Sequence, residues 1–284
     1  MQTQMLGQLD IAGPGLLNDV AQCAKFRYSE HYSEFLCSGA WKSCMLWAPG
    51  GDAGDDVIAH YDTGAVPQIT ECGKQLSFLR DIIERVFAVD RLVFARIAVM
   101  SGSVGIPHRD YIELDDLPET KRPACRLHLP LVTSDDCYFT EDNVIFRMKF
   151  GEVWVLDVSR VHSSAVLSEL QRMHLILDFN QTANPAQLVK FPVKSRPGIP
   201  EDSVCHRDPL SEREREDILS LAPIVDLDNL RDAFGIVVKK HYRKDGGQNF
   251  VWGTLDQIAQ RHGDAAVRKR IQELHQYFTM ERSD

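Results

Sequence analysis

His108 and Asp110 stand two residues apart in Pro107-His108-Arg109-Asp110, and His162 follows 54 positions after the first of them. In an extended segment, side chains at i and i+2 point the same way, so one ion can take His108 and Asp110 together. A histidine from another strand end supplies a third ligand. Two neutral imidazoles and one carboxylate on one face of an octahedron leave three positions open, the facial triad of non-haem iron(II) oxygenases. Those positions can hold a bidentate keto acid and then dioxygen. Arg172, ten residues after His162, would grip the distal carboxylate of such a keto acid by a two-pronged ion pair.

H-x-D alone is weak evidence, because it recurs by chance: His206-Arg207-Asp208 is a second copy. That copy lies beside Pro209, and ten residues beyond the following His241 stands Val251 rather than arginine, so it reads as bland. A kinase loop is excluded. It needs Asn five residues after the Asp, where this chain has Asp115 and Arg213, and no D-F-G is present. The first copy gains strength from its order: strand, H-x-D, strand, the run Gly151–Asp157 (G-E-V-W-V-L-D), His162 and Arg172.

Along Cys125–Leu131 the even positions carry Arg126 and His128 and the odd ones Leu127, Leu129 and Leu131. Alternation sets the leucines against a core and the basic groups on the other face. If that face lines a barrel, Arg126 and His128 meet the anionic cosubstrate; the competing reading is a strand with a solvated basic face. Arg96 interrupts an apolar strand just before the triad. A buried arginine needs an anionic partner, either a substrate carboxylate or a structural acid such as Glu113.

The elements that position these groups are legible in outline. Apolar spacing predicts helices over 16–27 and 75–88. Short runs bounded by turn residues predict strands over 92–100, 126–132, 143–148, 152–157 and 173–179. Successive strands without intervening helices point to an antiparallel sandwich or barrel. Pro185, Pro192, Pro197, Pro200 and Pro209 mark an extended connector. Ser211 and Glu214 form a capping-box pattern, and helical patterning continues through 218–221, 230–238 and 258–278.

Composition narrows the class. The chain has 284 residues, enough for one large domain or two small ones. Acidic residues outnumber basic ones, 41 to 32, for a net charge of −9, which disfavours nucleic acid as a partner. Seven cysteines with no C-x-x-C pair read as reduced thiols rather than disulfides or a zinc site. No apolar run approaches the roughly 20 residues of a membrane span. No signal peptide is visible at Met1–Met5, so the simplest address is the cytoplasm. The sequence sets no oligomeric state.

At the singled-out residues the chain resembles the bacterial iron(II)/2-oxoglutarate-dependent proline hydroxylases, which act on free L-proline, within the wider aspartyl/asparaginyl β-hydroxylase-like group. Ile106–Leu114 is similar to their I-P-H-R-D-Y/F-x-E-L, Arg126–Leu129 to their R-x-H-L, and Gly151–Asp157 to their G-E-I-W-F-L-D. The arginine ten residues after the second histidine also matches. Leu6-Gly7, Tyr32–Phe35 and Trp41 resemble the family's N-terminal segment, and Lys239–Tyr242 its C-terminal domain. The likeness covers nearly the whole chain.

The resemblance implies a mostly β core with flanking helices (α+β): a jelly-roll or cupin-like double-stranded β-helix with a C-terminal helical domain. On this reading residues 1–183 are the N-terminal helices and catalytic core, 184–210 the connector and 211–284 the helical domain. It implies Fe(II) on His108, Asp110 and His162. It implies 2-oxoglutarate with Arg172 on its distal carboxylate and Arg126 and His128 near its other end, O2 as second cosubstrate, and ascorbate in support. Arg96 and Tyr32 would meet the amino-acid substrate. The reaction would couple decarboxylation of 2-oxoglutarate, giving succinate and CO2, to hydroxylation of an unactivated C–H of a free L-amino acid such as proline, pipecolate or lysine. A charged loop, Asp115–Pro123, can reshape the pocket mouth, so proline itself does not follow. One alternative is a hydroxylase of a peptide or carrier-bound residue, which would show a broad groove. Another is a cupin-like isomerase or effector binder, which would need no Arg172. Asp110 opposes a halogenase, in which chloride takes that position. A Ser-His-Asp hydrolase lacks its G-x-S-x-G elbow.

Overall fold

The computed structural model describes residues 2–62, 64–110, 125–180, 184–193 and 197–280. Strand β1 (Gln4–Gln8) precedes helix α1 (Pro14–Cys23), whose proline sits where a missing N–H costs nothing. After β2 (Leu36–Pro49) and β3 (Pro67–Ile69) come α2 (Glu71–Lys74) and α3 (Ser77–Val86), which buries Leu79, Ile82 and Ile83 along one face. The middle is strand throughout: β4 (Leu92–Gly105), β5 (Cys125–Val132), β6 (Cys137–Glu141), β7 (Val144–Phe146), β8 (Glu152–Leu156), β9 (His162–Val166) and β10 (Arg172–Phe179). Helices α4 (Glu212–Leu219), α5 (Leu230–Arg243), α6 (Phe250–Arg261) and α7 (Ala265–Thr279) close the chain.

The strands pair antiparallel in the order β1-β8-β5-β10-β4-β9-β6-β7, with β2 on β4 and β3 on β2. Strand β4 joins two walls. Along Leu92–Met100 it pairs with β10, and beyond that it meets β9 through Val104 and Ala165, while β2 follows its other edge. Between the two stretches Gly102 has φ 56°, a left-handed value that glycine adopts without strain. The sheet thereby folds over into a half-barrel with flanking helices, the jelly-roll expected from the sequence.

Period-two alternation sorts the large wall. Leu127, Leu129, Leu175, Leu177, Ile97 and Val153 face out and join Leu16, Leu79 and Ile83 of α1 and α3 in one apolar cluster. Each fully buried leucine contributes about 2 kcal/mol, and Leu127→Ala, at 0% exposure, would cost roughly 2–5 kcal/mol. Arg96, Arg126, His128, His174 and Asp178 take the inward positions and are buried. A second cluster joins Val104, Ile145 and Ala165 of the sheet to Phe234, Val237 and Trp252, fixing the C-terminal helices against the small wall.

Ser211 and Glu214 form their capping box at α4 as the sequence indicates. Three details differ from expectation. The helix expected over 258–278 is two helices. The chain breaks at Gly263, and the Asp264 carboxylate accepts from the Ala266 N–H to start α7. The strand expected over 143–148 contracts to Val144–Phe146. Strands β1, β2, β3, β6 and β9 have no counterpart among the expected elements: Gly39 and several polar residues interrupt β2, β3 has only three residues, and β9 is only His-Ser-Ser-Ala-Val. All seven cysteines are free thiols. Among the described residues no helix is long and apolar enough to cross a membrane. Glu113 and the 115–123 loop lie outside the described residues.

Candidate active site

Main-chain pairing builds the triad. Just past β4, His108 and His162 form an antiparallel bridge in which each N–H donates to the other's carbonyl at 2.9 Å. Residues paired in this way project to the same face, so the two imidazoles lie together with centroids 4.9 Å apart. The Asp110 N–H donates to Val158 O at 3.0 Å, which holds the i+2 carboxylate beside them. His108 Nε2 lies 3.2 Å and His162 Nε2 3.3 Å from Asp110 Oδ1, and one ligand atom from each residue falls within 4.8 Å of the others. An octahedral ion with bonds of about 2.1 Å spaces neighbouring ligands by about 3.0 Å. The donor set fits one such ion.

The tautomers are also fixed. His108 Nδ1 is 2.7 Å from Ile106 O, and His162 Nδ1 is 3.0 Å from Arg160 O. A carbonyl only accepts, so both protons sit on Nδ1 and both Nε2 lone pairs face the centre. Burial keeps the rings neutral. It pushes His108 down to about 3, with His162 adding to the effect, and pushes His162 down to about 4.

A buried charge chain backs the triad. Arg126 donates from Nη1 to Asp110 and from Nε to Asp178 Oδ1 at 2.6 Å. Asp178 lies opposite Arg126 in the β5–β10 register, and its Oδ2 is 3.6 Å from Arg96 Nη2. Burial would pull the Arg96 guanidinium down, but Asp178 and then Asp56 more than offset it, and it is raised. Arg96 sits over the Tyr32 ring at 5.3 Å. The sequence places Arg126 beside the cosubstrate; in the structure it engages two carboxylates. The sequence offers Glu113 as an acid for Arg96; among the described residues the acid is Asp178. Alternation along β10 could have flagged Asp178, which shares the inward face with Arg172. Asp56, in the loop between β2 and β3, carries no such signal.

Arg172 and His128 lie deeper. Arg172 is 0% exposed, over the Phe139 ring at 4.7 Å, and its Nη1 touches Met100 Sδ at 3.2 Å. Its Nε and Nη2 have no hydrogen-bond partner among the described residues, and neither does His128 Nε2. Burial pulls the Arg172 guanidinium down to about 10, still charged at neutral pH. A buried, unpaired guanidinium face is what an enclosed carboxylate would satisfy.

Tyr32, Trp41, Arg96, His108, Asp110 and Arg126 line one cleft. The structure thus brings Arg96 and Tyr32 to the triad. The second H-R-D is structural: Arg207 ties Asn143 O to His241 O and Lys244 O, and His206 is exposed beside Glu201.

The Aspartyl/Asparaginyl beta-hydroxylase family model matches residues 16–182, and the L-proline 3-hydroxylase, C-terminal model matches residues 185–284. The L-proline cis-4-hydroxylase of Rhizobium meliloti is 32% identical, over 98% of this chain and 96% of that protein. The L-proline cis-3-hydroxylase 2 of a Streptomyces species is 28% identical, over 98% and 94%. A solved oxidoreductase of the 2OG-Fe(II) oxygenase family from Burkholderia pseudomallei overlays loosely, with TM-score 0.37 and 13% identity over 61% of this chain and 81% of that one.

Proposed function

Because the chain belongs to the Aspartyl/Asparaginyl beta-hydroxylase family, we propose that it is an iron(II)/2-oxoglutarate-dependent dioxygenase that hydroxylates an unactivated C–H of a free, proline-type L-amino acid. The observation that carries the reading is the convergence of three metal-ligand atoms within 4.8 Å, on a cleft lined by charged and aromatic side chains. Its lining, with Arg96 and Arg126 beside Tyr32 and Trp41, suits a small amino acid held beside the ion.

His108, Asp110 and His162 would hold the iron. When bound, iron with 2-oxoglutarate and O2 supplies the oxidation: the keto acid leaves as succinate and CO2, and one oxygen atom enters the substrate C–H. The protein's own work is placement. Arg172 offers its unpartnered Nε and Nη2 to the distal carboxylate of 2-oxoglutarate, with His128 near the other end. Arg126 steadies Asp110 while Asp178 steadies Arg126. Arg96 has Nε and Nη1 unpartnered among the described residues and takes the substrate carboxylate. Tyr32 and Trp41 wall the cleft and limit water, which would otherwise intercept the oxidant, and the grip of Arg96 elsewhere on the substrate places the reacting C–H.

The proposal includes residues 1–183 as catalytic core, 184–210 as connector and 211–284 as helical domain. It also includes ascorbate as a supporting reductant, and a cytoplasmic address that fits seven free thiols. The test is a panel of free L-amino acids, including proline, pipecolate and lysine, with Fe(II), ascorbate and 2-oxoglutarate. Succinate release matched by a product heavier by one oxygen is the expected result. No coupled turnover with any free amino acid would overturn it.

A further inference from the structure

His174 is a buried imidazole that the proposed reaction does not use. It stands at an inward position of β10, 0% exposed, with its ring stacked on Phe139 at 5.6 Å. In the β5–β10 register Ile176 faces His128 and His174 faces Pro130, so the two histidines are diagonal neighbours on one face. The register slips between Met173 and His174, and an irregularity of this kind re-aims a side chain. His174 Nδ1 lies 3.4 Å from His128 Nδ1, with the rings nearly perpendicular at 79°. Neither Nε2 has a partner among the described residues.

We infer that His174 is a positioning residue that sets the tautomer of His128, so that His128 presents Nε2–H to an anionic oxygen of bound 2-oxoglutarate. The inference rests on the reading of this site given above and adds a residue to it.

Proton counting carries the argument. Burial, with Arg172 adding to it, holds both rings neutral, so each has one N–H. A contact between two Nδ1 atoms uses one proton. The donor spends its only N–H there and keeps a bare Nε2; the acceptor keeps its own N–H on Nε2. If His128 were the donor, its bare lone pair would face the anion, and His174 would carry an unpaired N–H in a fully buried site. With His174 as donor, His128 offers a hydrogen where the anion can accept it. Both ends of the pair favour the second arrangement.

The test uses full-length protein labelled with 15N-histidine, loaded with Zn(II) and titrated with 2-oxoglutarate. Long-range 1H–15N spectra report which ring nitrogen carries the proton. The expected result is His128 with Nε2–H and bare Nδ1 in the 2-oxoglutarate complex. His174→Leu should weaken 2-oxoglutarate binding at least about tenfold, with Zn(II) affinity unchanged. His174→Asn, whose amide N–H can replace the Nδ1 donor, should restore most of it. A general packing role would not distinguish Asn from Leu in this way. His128 with Nδ1–H in the wild-type complex overturns the inference, as does wild-type 2-oxoglutarate affinity in His174→Leu. Should His174→Leu not fold, the wild-type spectrum decides. Failure of the wild-type protein to bind 2-oxoglutarate at all overturns the reading of the site, and the inference with it.

Discussion

Arg172 combines complete burial, a retained charge and two nitrogens, Nε and Nη2, with no partner among the described residues. Such a group is costly unless an anion completes it. Arg172→Ala should therefore raise the KM for 2-oxoglutarate by about 10- to 100-fold, the loss of charge-assisted hydrogen bonds. Arg172→Lys should not restore it, since an ammonium lacks the planar fork. Steady-state kinetics in 2-oxoglutarate check this, and an unchanged KM would remove Arg172 from the site. The identity of these residues was legible in the sequence because order and spacing were specific: His108, Asp110, His162, then arginine ten positions on. Their partners were not. Alternation along β10 could flag Asp178, but Asp56 reaches Arg96 from a loop, and nothing local marks it out from other acidic residues.

The two histidines meet because β4 and β9 run side by side into the His108–His162 bridge. Gly105 lies in that seam. A Cβ there would fall 2.8 Å from Ser163 Oγ and 2.9 Å from Ser164 O, closer than packed atoms tolerate. Gly105→Ala should push β9 aside and carry His162 with it. The expected outcome is metal affinity weakened by about tenfold or more, with far-ultraviolet circular dichroism unchanged. Isothermal titration with Zn(II) or Fe(II) measures it, and native affinity would show that the seam tolerates a methyl group. Element by element, the long apolar strands β4, β5 and β10 could be read, because alternation there is strong. Strand β9 could not, since five residues with two serines give no periodic signal. The α6–α7 break escaped for a related reason: apolar spacing runs on across Gly263, and the cap at Asp264 outweighs it.

At the scale of the molecule, the half-barrel was legible as a run of strands without helices, and its closure was not, because β2 and β9 supply much of the second wall's pairing. Three buried histidines outside the triad span this assembly: His128 and His174 in the large wall and His241 at the contact between Thr140 and α5. Burial holds all three below the ordinary imidazole value, His241 at about 3. The unfolded chain takes up protons near pH 6.5, and the folded one resists. Stability is therefore fully present above that pH and is lost as pH falls toward the folded values. Each histidine should cost on the order of 1 kcal/mol between pH 6.5 and 5.5. Urea midpoints at those two pH values test this; a flat profile would contradict it. The cleft has a consequence of a different kind. Its His108, Asp110 and Arg126 come from the middle of the chain, but Tyr32, Leu36, Trp41 and Ile58 come from a separate, earlier stretch. Exchanging Ile58, which takes no part in the His108–His162 bridge, would reshape the cleft while that bridge stays in place. The shape of the cleft can thus change independently of the three side chains that converge on it.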